Sequence, residues 1–137
     1  MGYRILDHTA DLGLEVTAAS REELYTGAVV ALFDLLTEQS LVRSETSHEM
    51  VVDGNDPADL LVNFLREALY LWNGEEWLVK TCTVRQADAR QVTALLHGEP
   101  FDPARHRIKR EIKAVTYHQV SVEQGGDGWT ARIVFDV

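Results

Sequence analysis

The sequence predicts an α+β domain of two layers, one mixed and mostly antiparallel sheet with two main helices packed on one of its faces. Three observations carry this. Two stretches place apolar residues at helical spacing behind capping residues, seven shorter stretches have the period of strands, and the last 60 residues are almost all strand. At 137 residues the chain reads as a single domain over 1–137. That length buries roughly two-thirds of the surface exposed in the unfolded chain. No internal repeat, low-complexity tract or linker divides it.

Tyr3 to Leu6 reads as a short strand. Leu12, Leu14 and Val16 alternate with small or polar residues as a second, leaving Asp7-His8-Thr9-Ala10-Asp11 in the turn between them. Ser20-Arg21-Glu22-Glu23 has the form of a capping box. Ser20 can accept from the backbone N–H of Glu23, whose carboxylate reaches back to the N–H of Ser20. The helix it opens carries Leu24, Ala28, Ala31, Leu32, Leu35 and Leu36 as a stripe and should run to about Glu38. Glu49 to Asp53 is a short strand. Asp56 then caps a second helix with Pro57 at its first position, where the missing N–H costs little. Its stripe is Leu60, Leu61, Phe64, Leu65, Ala68, Leu69 and Trp72, and Asn73-Gly74 ends it. Strands follow at Trp77 to about Gln86, Gln91 to about His97, and Glu111 to Glu123. Gln124-Gly125-Gly126-Asp127-Gly128 turns the chain into a last strand, Trp129 to Val137.

Composition removes several function classes. No apolar run is long enough for a membrane-crossing helix or a secretory leader, and the single Cys82 precludes an internal disulfide. The expected location is a reducing one, the cytoplasm, with no membrane partner. Nothing beside Cys82 would activate its thiol, so it reads as a packed side chain. The formal net charge of −9 is unevenly placed: residues 1–76 hold 15 acids against 4 Lys and Arg, residues 77–137 hold 7 against 9. Nucleic-acid affinity comes largely from clustered cations neutralising phosphates, so no direct nucleic-acid binding is expected. An acidic surface suits a cation, a basic protein partner, or simple solubility. No G-x-G-x-x-G follows a strand and no P-loop occurs, which sets aside the doubly wound nucleotide folds.

Two acids draw attention at the chain's ends. Asp11, at a strand-to-strand turn, either caps the turn or ligates a hard divalent cation. Asp136 interrupts the apolar strand Ile133-Val134-Phe135-Asp136-Val137, where an unpartnered buried carboxylate would be costly. Strand parity puts Ile133 and Phe135 on one face and Val134 with Asp136 on the other, so an exposed Asp136 is equally compatible. The reading that joins them is a cation site made by Asp11 and Asp136, to which Val137 adds its terminal carboxylate. His8, three residues before Asp11, is a candidate to orient or join that set. Oxygen donors select calcium, magnesium or manganese, and no H-E-x-x-H, H-x-E or C-x-x-C zinc pattern is present.

The second cluster is basic, with five Lys and Arg in the nine residues from Arg105 to Lys113. It reads as a phosphate or acidic-partner contact, or as loose surface charge, the latter favoured for Arg105 to Arg110. Lys113 enters the strand Ile112 to His118 and is expected to project on the side of Val115 and Tyr117, as a fixed contact residue. His118 is a candidate base or ligand, set against a packed strand histidine. G-x-S-x-G is absent, and Ser20 is used by its cap. These residues support a small domain with a candidate divalent-cation site; they name no reaction.

Asp7-His8-Thr9-Ala10-Asp11, then Glu111-Ile112-Lys113-Ala114-Val115-Thr116-Tyr117-His118, then the closing Phe135-Asp136-Val137, together resemble the archease family. The leucine-rich stretch Leu60 to Tyr70 and Gly98-Glu99 before the basic segment strengthen the likeness, which spans Leu6 to Val137. The resemblance implies a compact α+β protein that is not itself an enzyme. It would activate an RtcB-type RNA ligase in tRNA splicing, promoting guanylylation and multiple turnover of that ligase. It also implies a metal site at Asp11, Asp136 and Val137, with calcium as the ion. Lys113 lies in the motif whose lysine such proteins need, and His118 closes the same motif. Leu12 stands where isoleucine or valine is frequent, and Phe64-Leu65-Arg66-Glu67 replaces a more usual Trp-Leu-Asn-Glu. Two other classes compete: a small metal-dependent phosphoesterase with His8 or His118 as base, and a chaperone-like binding module using an apolar face.

Overall fold

Capping chemistry sets the two helices. In the computed structural model, which describes residues 2–7 and 11–137, Ser20 accepts from the N–H of Glu23 at 3.2 Å and opens α1, Arg21–Leu36. The Glu23 carboxylate reaches one residue further back than the capping box requires, accepting from the N–H of Ala19 at 3.2 Å. Asp56 accepts from the N–H of Asp59 at 2.8 Å and opens α2, Pro57–Asn73, with Pro57 in its first turn. α1 stops at Leu36 because Thr37 turns to extended backbone, bridges Ile108, and donates its hydroxyl to the Arg107 carbonyl at 2.7 Å.

The seven expected strands are present: β1 Gly2–Asp7, β2 Asp11–Ala18, β3 Thr46–Asp53, β4 Trp77–Ala87, β5 Gln91–Pro100, β6 Ala114–Gly125 and β7 Gly128–Asp136. They divide into two antiparallel sheets where the sequence suggested one. The first runs β1-β2-β7-β6, the second β3-β5-β4. The β6–β7 hairpin turns over Gly126 and Asp127, with Gly126 at φ +37°.

The helices join the sheets. α1 packs on β4 and β2, while α2 packs on β6, β3 and β4. This explains why α1 is apolar beyond its stripe: Tyr25, Val29 and Phe33 are buried alongside Leu24, Ala28, Leu32 and Leu36. Tyr25 meets Phe64 of α2 edge-on at 5.0 Å between ring centroids. Phe135 and Ile133 of β7, and Leu14 and Val16 of β2, complete the core from the first sheet.

Gly98 of β5 is where the second sheet closes most tightly. A Cβ there would stand 1.9 Å from the Leu78 carbonyl oxygen of β4, a backbone atom that cannot swing aside. Gly98→Ala is therefore expected to lower stability by about 2 kcal/mol through forced backbone displacement. Urea denaturation measures this; an unchanged midpoint would show that β4 yields freely at Leu78.

Candidate functional site

The pairing of β2 with β7 settles the geometry of the two acids. Leu12, Leu14 and Val16 stand opposite Phe135, Ile133 and Ala131, and Asp11, Gly13 and Glu15 stand opposite Asp136, Val134 and Arg132. Directly opposed residues share a face of the sheet. Asp11 and Asp136 are thus facing neighbours at one end of an antiparallel ladder, with Asp136 exposed. Asp11 is the first residue of β2, where the sequence suggested a turn position.

The same ladder shows how this fold treats another acid. Glu15 is bracketed by Arg4 and Arg132, each donating from Nε at 2.8 Å. Those guanidinium bonds, Arg4 first and Arg132 second, hold its carboxyl below the usual carboxylate range. Asp11 and Asp136 have no such bracket: among the described residues neither forms an ion pair. Like charges directly opposed across a sheet are unfavourable, so this arrangement is improved by a cation. The donor set is carboxylate oxygen, which suits calcium, magnesium or manganese. Among the described residues no three His, Cys, Asp or Glu side chains converge to hold a metal. His8 lies outside the described residues. Val137 follows Asp136 and is 39% exposed.

Lys113 reaches the pair through its backbone, donating its N–H to the Asp136 carbonyl at 2.7 Å. It precedes β6 rather than lying in it. Ile112 and Val115 are both buried, so the expected strand parity fails and Lys113 is exposed apart from Val115. Ala114, the cross-strand neighbour of Asp136 on the other side, adds only a methyl group. His118 is not brought to the acids. It is exposed in a bulge of β6 between the Thr116–Val134 and Ser121–Arg132 pairs, next to Gln119 at φ 53°.

The basic segment is not wholly loose charge. Its backbone is tied to the end of α1, with Glu38 N–H on the Arg107 carbonyl at 3.0 Å and Lys109 N–H on the Leu36 carbonyl at 2.8 Å. Arg105 grips Glu99 with both Nη groups, one at 2.9 Å. Glu99 and His106 are buried there, with His106 Nε2 3.0 Å from the Glu99 carboxylate. Sequence reasoning missed this contact, since alternation along β5 gives Glu99 an outward position. A second missed group joins α2 to the β6 bulge: the Arg66 guanidinium lies 4.7 Å over the Tyr117 ring, and Tyr117 donates to Asp59 at 2.6 Å.

The chain is an α+β domain of two helices on two antiparallel sheets, with facing aspartates at the end of the β2–β7 pair. The profile of the family described as "Archease protein family (MTH1598/TM1083)" matches residues 3–137. The chain belongs to the archease family. It is 34% identical to the protein archease of Methanosarcina mazei, over 98% of this chain and 95% of that one. Against protein archease of Methanopyrus kandleri it is 34% identical over the full length of both. The solution structure of Methanobacterium thermoautotrophicum protein 1598 superposes with a TM-score of 0.81 at 25% identity, covering 99% of each chain. Among the described residues no helix is long and apolar enough to cross a membrane.

Proposed function

We propose that this protein is a non-catalytic activator of an RtcB-type RNA ligase in tRNA splicing, promoting the ligase's guanylylation and its multiple turnover. Family membership supports the class, and one observation carries the site: Asp11 and Asp136 face each other unbracketed while Glu15, on the same ladder, is bracketed by two arginines. Asp11 and Asp136, with Val137 beside them, are the residues we assign to a divalent cation, calcium first and magnesium or manganese as substitutes. Bound there, such an ion supplies neutralisation of the carboxylates and a hard Lewis-acid centre. The chain's own residues do the positioning. Antiparallel pairing fixes the two carboxylates, and the Lys113 N–H bond to Asp136 sets a cation-bearing side chain at the same sheet end.

The partner we assign is the ligase itself, met in the cytoplasm, with no direct contact to RNA required. The acidic N-terminal part, 15 acids against 4 Lys and Arg over residues 1–76, favours a basic docking surface and salt-sensitive association. The test is ligation in excess RNA by a matched ligase, with wild type, Asp11→Asn, Lys113→Ala and Asp136→Asn, each at low and high salt. The ligase alone is expected to stall near one turnover and to cycle with wild type. Each variant should lose most of that gain, and salt should weaken it. Wild type without effect on a matched ligase would end the activator reading. Activation unchanged by salt, with the ligase active throughout, would end the steering part of it.

A further inference from the structure

We infer that the groove between α2 and the start of β6 is a second contact surface, one that receives an acidic side chain of the partner ligase against Arg66 and Lys113, with Tyr70 as its apolar anchor. The inference rests on the activator reading and extends it to a surface beside the aspartate pair.

The groove follows from spacing on α2. Arg66, Tyr70 and Asn73 fall at i, i+4 and i+7, one stripe on the helix's outer side. Each is preset. Arg66 donates from Nε to the Val115 carbonyl at 3.1 Å and lies over the Tyr117 ring, which fixes the guanidinium plane. Its two Nη groups have no hydrogen-bond partner among the described residues. Tyr70 is 60% exposed, yet its ring rests against Gly74, where a Cβ would come within 2.3 Å of it. Asn73 donates to the Ile112 carbonyl at 3.0 Å, tying the far end of the stripe to the segment that carries Lys113. Two hollows, of about 430 and 410 Å³, meet at Arg66 and Tyr70, and Lys113 lines the larger. Through the Lys113 N–H bond the groove is continuous with Asp136.

Charge decides the occupant. In a chain of net charge −9, Arg66 and Lys113 form no ion pair among the described residues. A fixed fork with free Nη groups matches one carboxylate in bidentate fashion. The adjoining hollow carries Glu67 and Glu75, so the positive field is confined to one spot and cannot track a nucleic-acid backbone. Exposed tyrosine beside arginine is the composition of a protein–protein hot spot.

The experiment is titration of the purified ligase with wild type, Arg66→Glu, Arg66→Lys and Tyr70→Ala by calorimetry at fixed salt, with turnover measured at saturation. Arg66→Glu and Tyr70→Ala should each raise Kd by about tenfold or more. Arg66→Lys should fall between, because it keeps the charge and loses the fork. Turnover at saturation should return to the wild-type level. Tyr70 is exposed, so Tyr70→Ala decides alone if Arg66→Glu fails to fold. Wild-type association with unchanged Kd in a folded Tyr70→Ala protein overturns the groove and leaves the activator reading intact. No association by wild type overturns both. Binding of a labelled single-stranded RNA by wild type, lost in Tyr70→Ala, would give the groove to nucleic acid and overturn the protein assignment.

Discussion

Replacing Glu99 by alanine is expected to cost the fold about 3 kcal/mol, because it strips the acid from a buried ion network and leaves its partners unpaired. At this chain length that loss lowers the thermal midpoint by about 10 °C. Glu99 is 4% exposed and accepts four donors: both Arg105 Nη groups, the Arg43 N–H at 2.7 Å and His106 Nε2 at 3.0 Å. The Asp102 N–H points at His106 Nδ1 at 2.9 Å, which makes Nδ1 the acceptor and Nε2 the N–H that reaches Glu99. Two stretches of loop, one at Arg43 and one running from Asp102 to His106, are therefore tied together at one carboxylate. The Arg105 bonds, aided by the Arg43 N–H and His106, bring its pKa down from 4.5 to about 2. A carboxyl depressed by folding stabilises the native state fully above its unfolded value and loses that contribution as pH falls toward the folded one. Wild type should therefore weaken between about pH 5 and pH 2, and Glu99→Gln should weaken less across that window. Urea denaturation at pH 7 and pH 3 measures both. Equal pH losses in wild type and Glu99→Gln would show that the carboxylate adds nothing to acid stability.

That network marks a boundary of what the chain reveals before folding. Caps and stripes were legible because they are local: Ser20, Asp56 and Pro57 place both helix starts within one residue of where they occur. Strand alternation was legible for β2 and β7, and it set Asp136 on the face opposite Ile133 and Phe135; the register that puts Asp11 across from Asp136 came only with the pairing of the two strands. Alternation says which side a residue faces and not which strand lies beside it, so the division into two sheets was hidden. The signal that could have exposed it is α1 itself, where Tyr25, Val29 and Phe33 widen the apolar stripe beyond what one covered face needs. Lys113 and His118 defeated parity for a different reason. β6 starts at Ala114 and bulges after Thr116, and each irregularity resets the phase of the side chains. Glu99 is buried on the phase that alternation assigns to solvent, because Arg105 and His106 return from a loop to cover it.

Calcium added to chelator-treated protein is expected to raise stability by about 2.7 kcal/mol at a free concentration one hundred times its Kd, since the site proposed for it exists only when β2 and β7 are paired. The midpoint should rise by about 8 °C. Asp136→Asn should lose this response, and it should also be a few tenths of a kcal/mol more stable than wild type in chelator, because one of two opposed like charges is gone. The two halves constrain each other. A protein that keeps a repelling pair gives up stability when the ion is absent, and sites that do this are usually retained for what they bind. If Asp136→Asn in chelator is instead less stable than wild type, the carboxylates are held by the protein and the pair is structural. If calcium, magnesium and manganese all leave the wild-type midpoint unmoved, the ligand assignment for Asp11 and Asp136 falls, and any effect of Asp136→Asn on ligase turnover must come from direct contact with the partner.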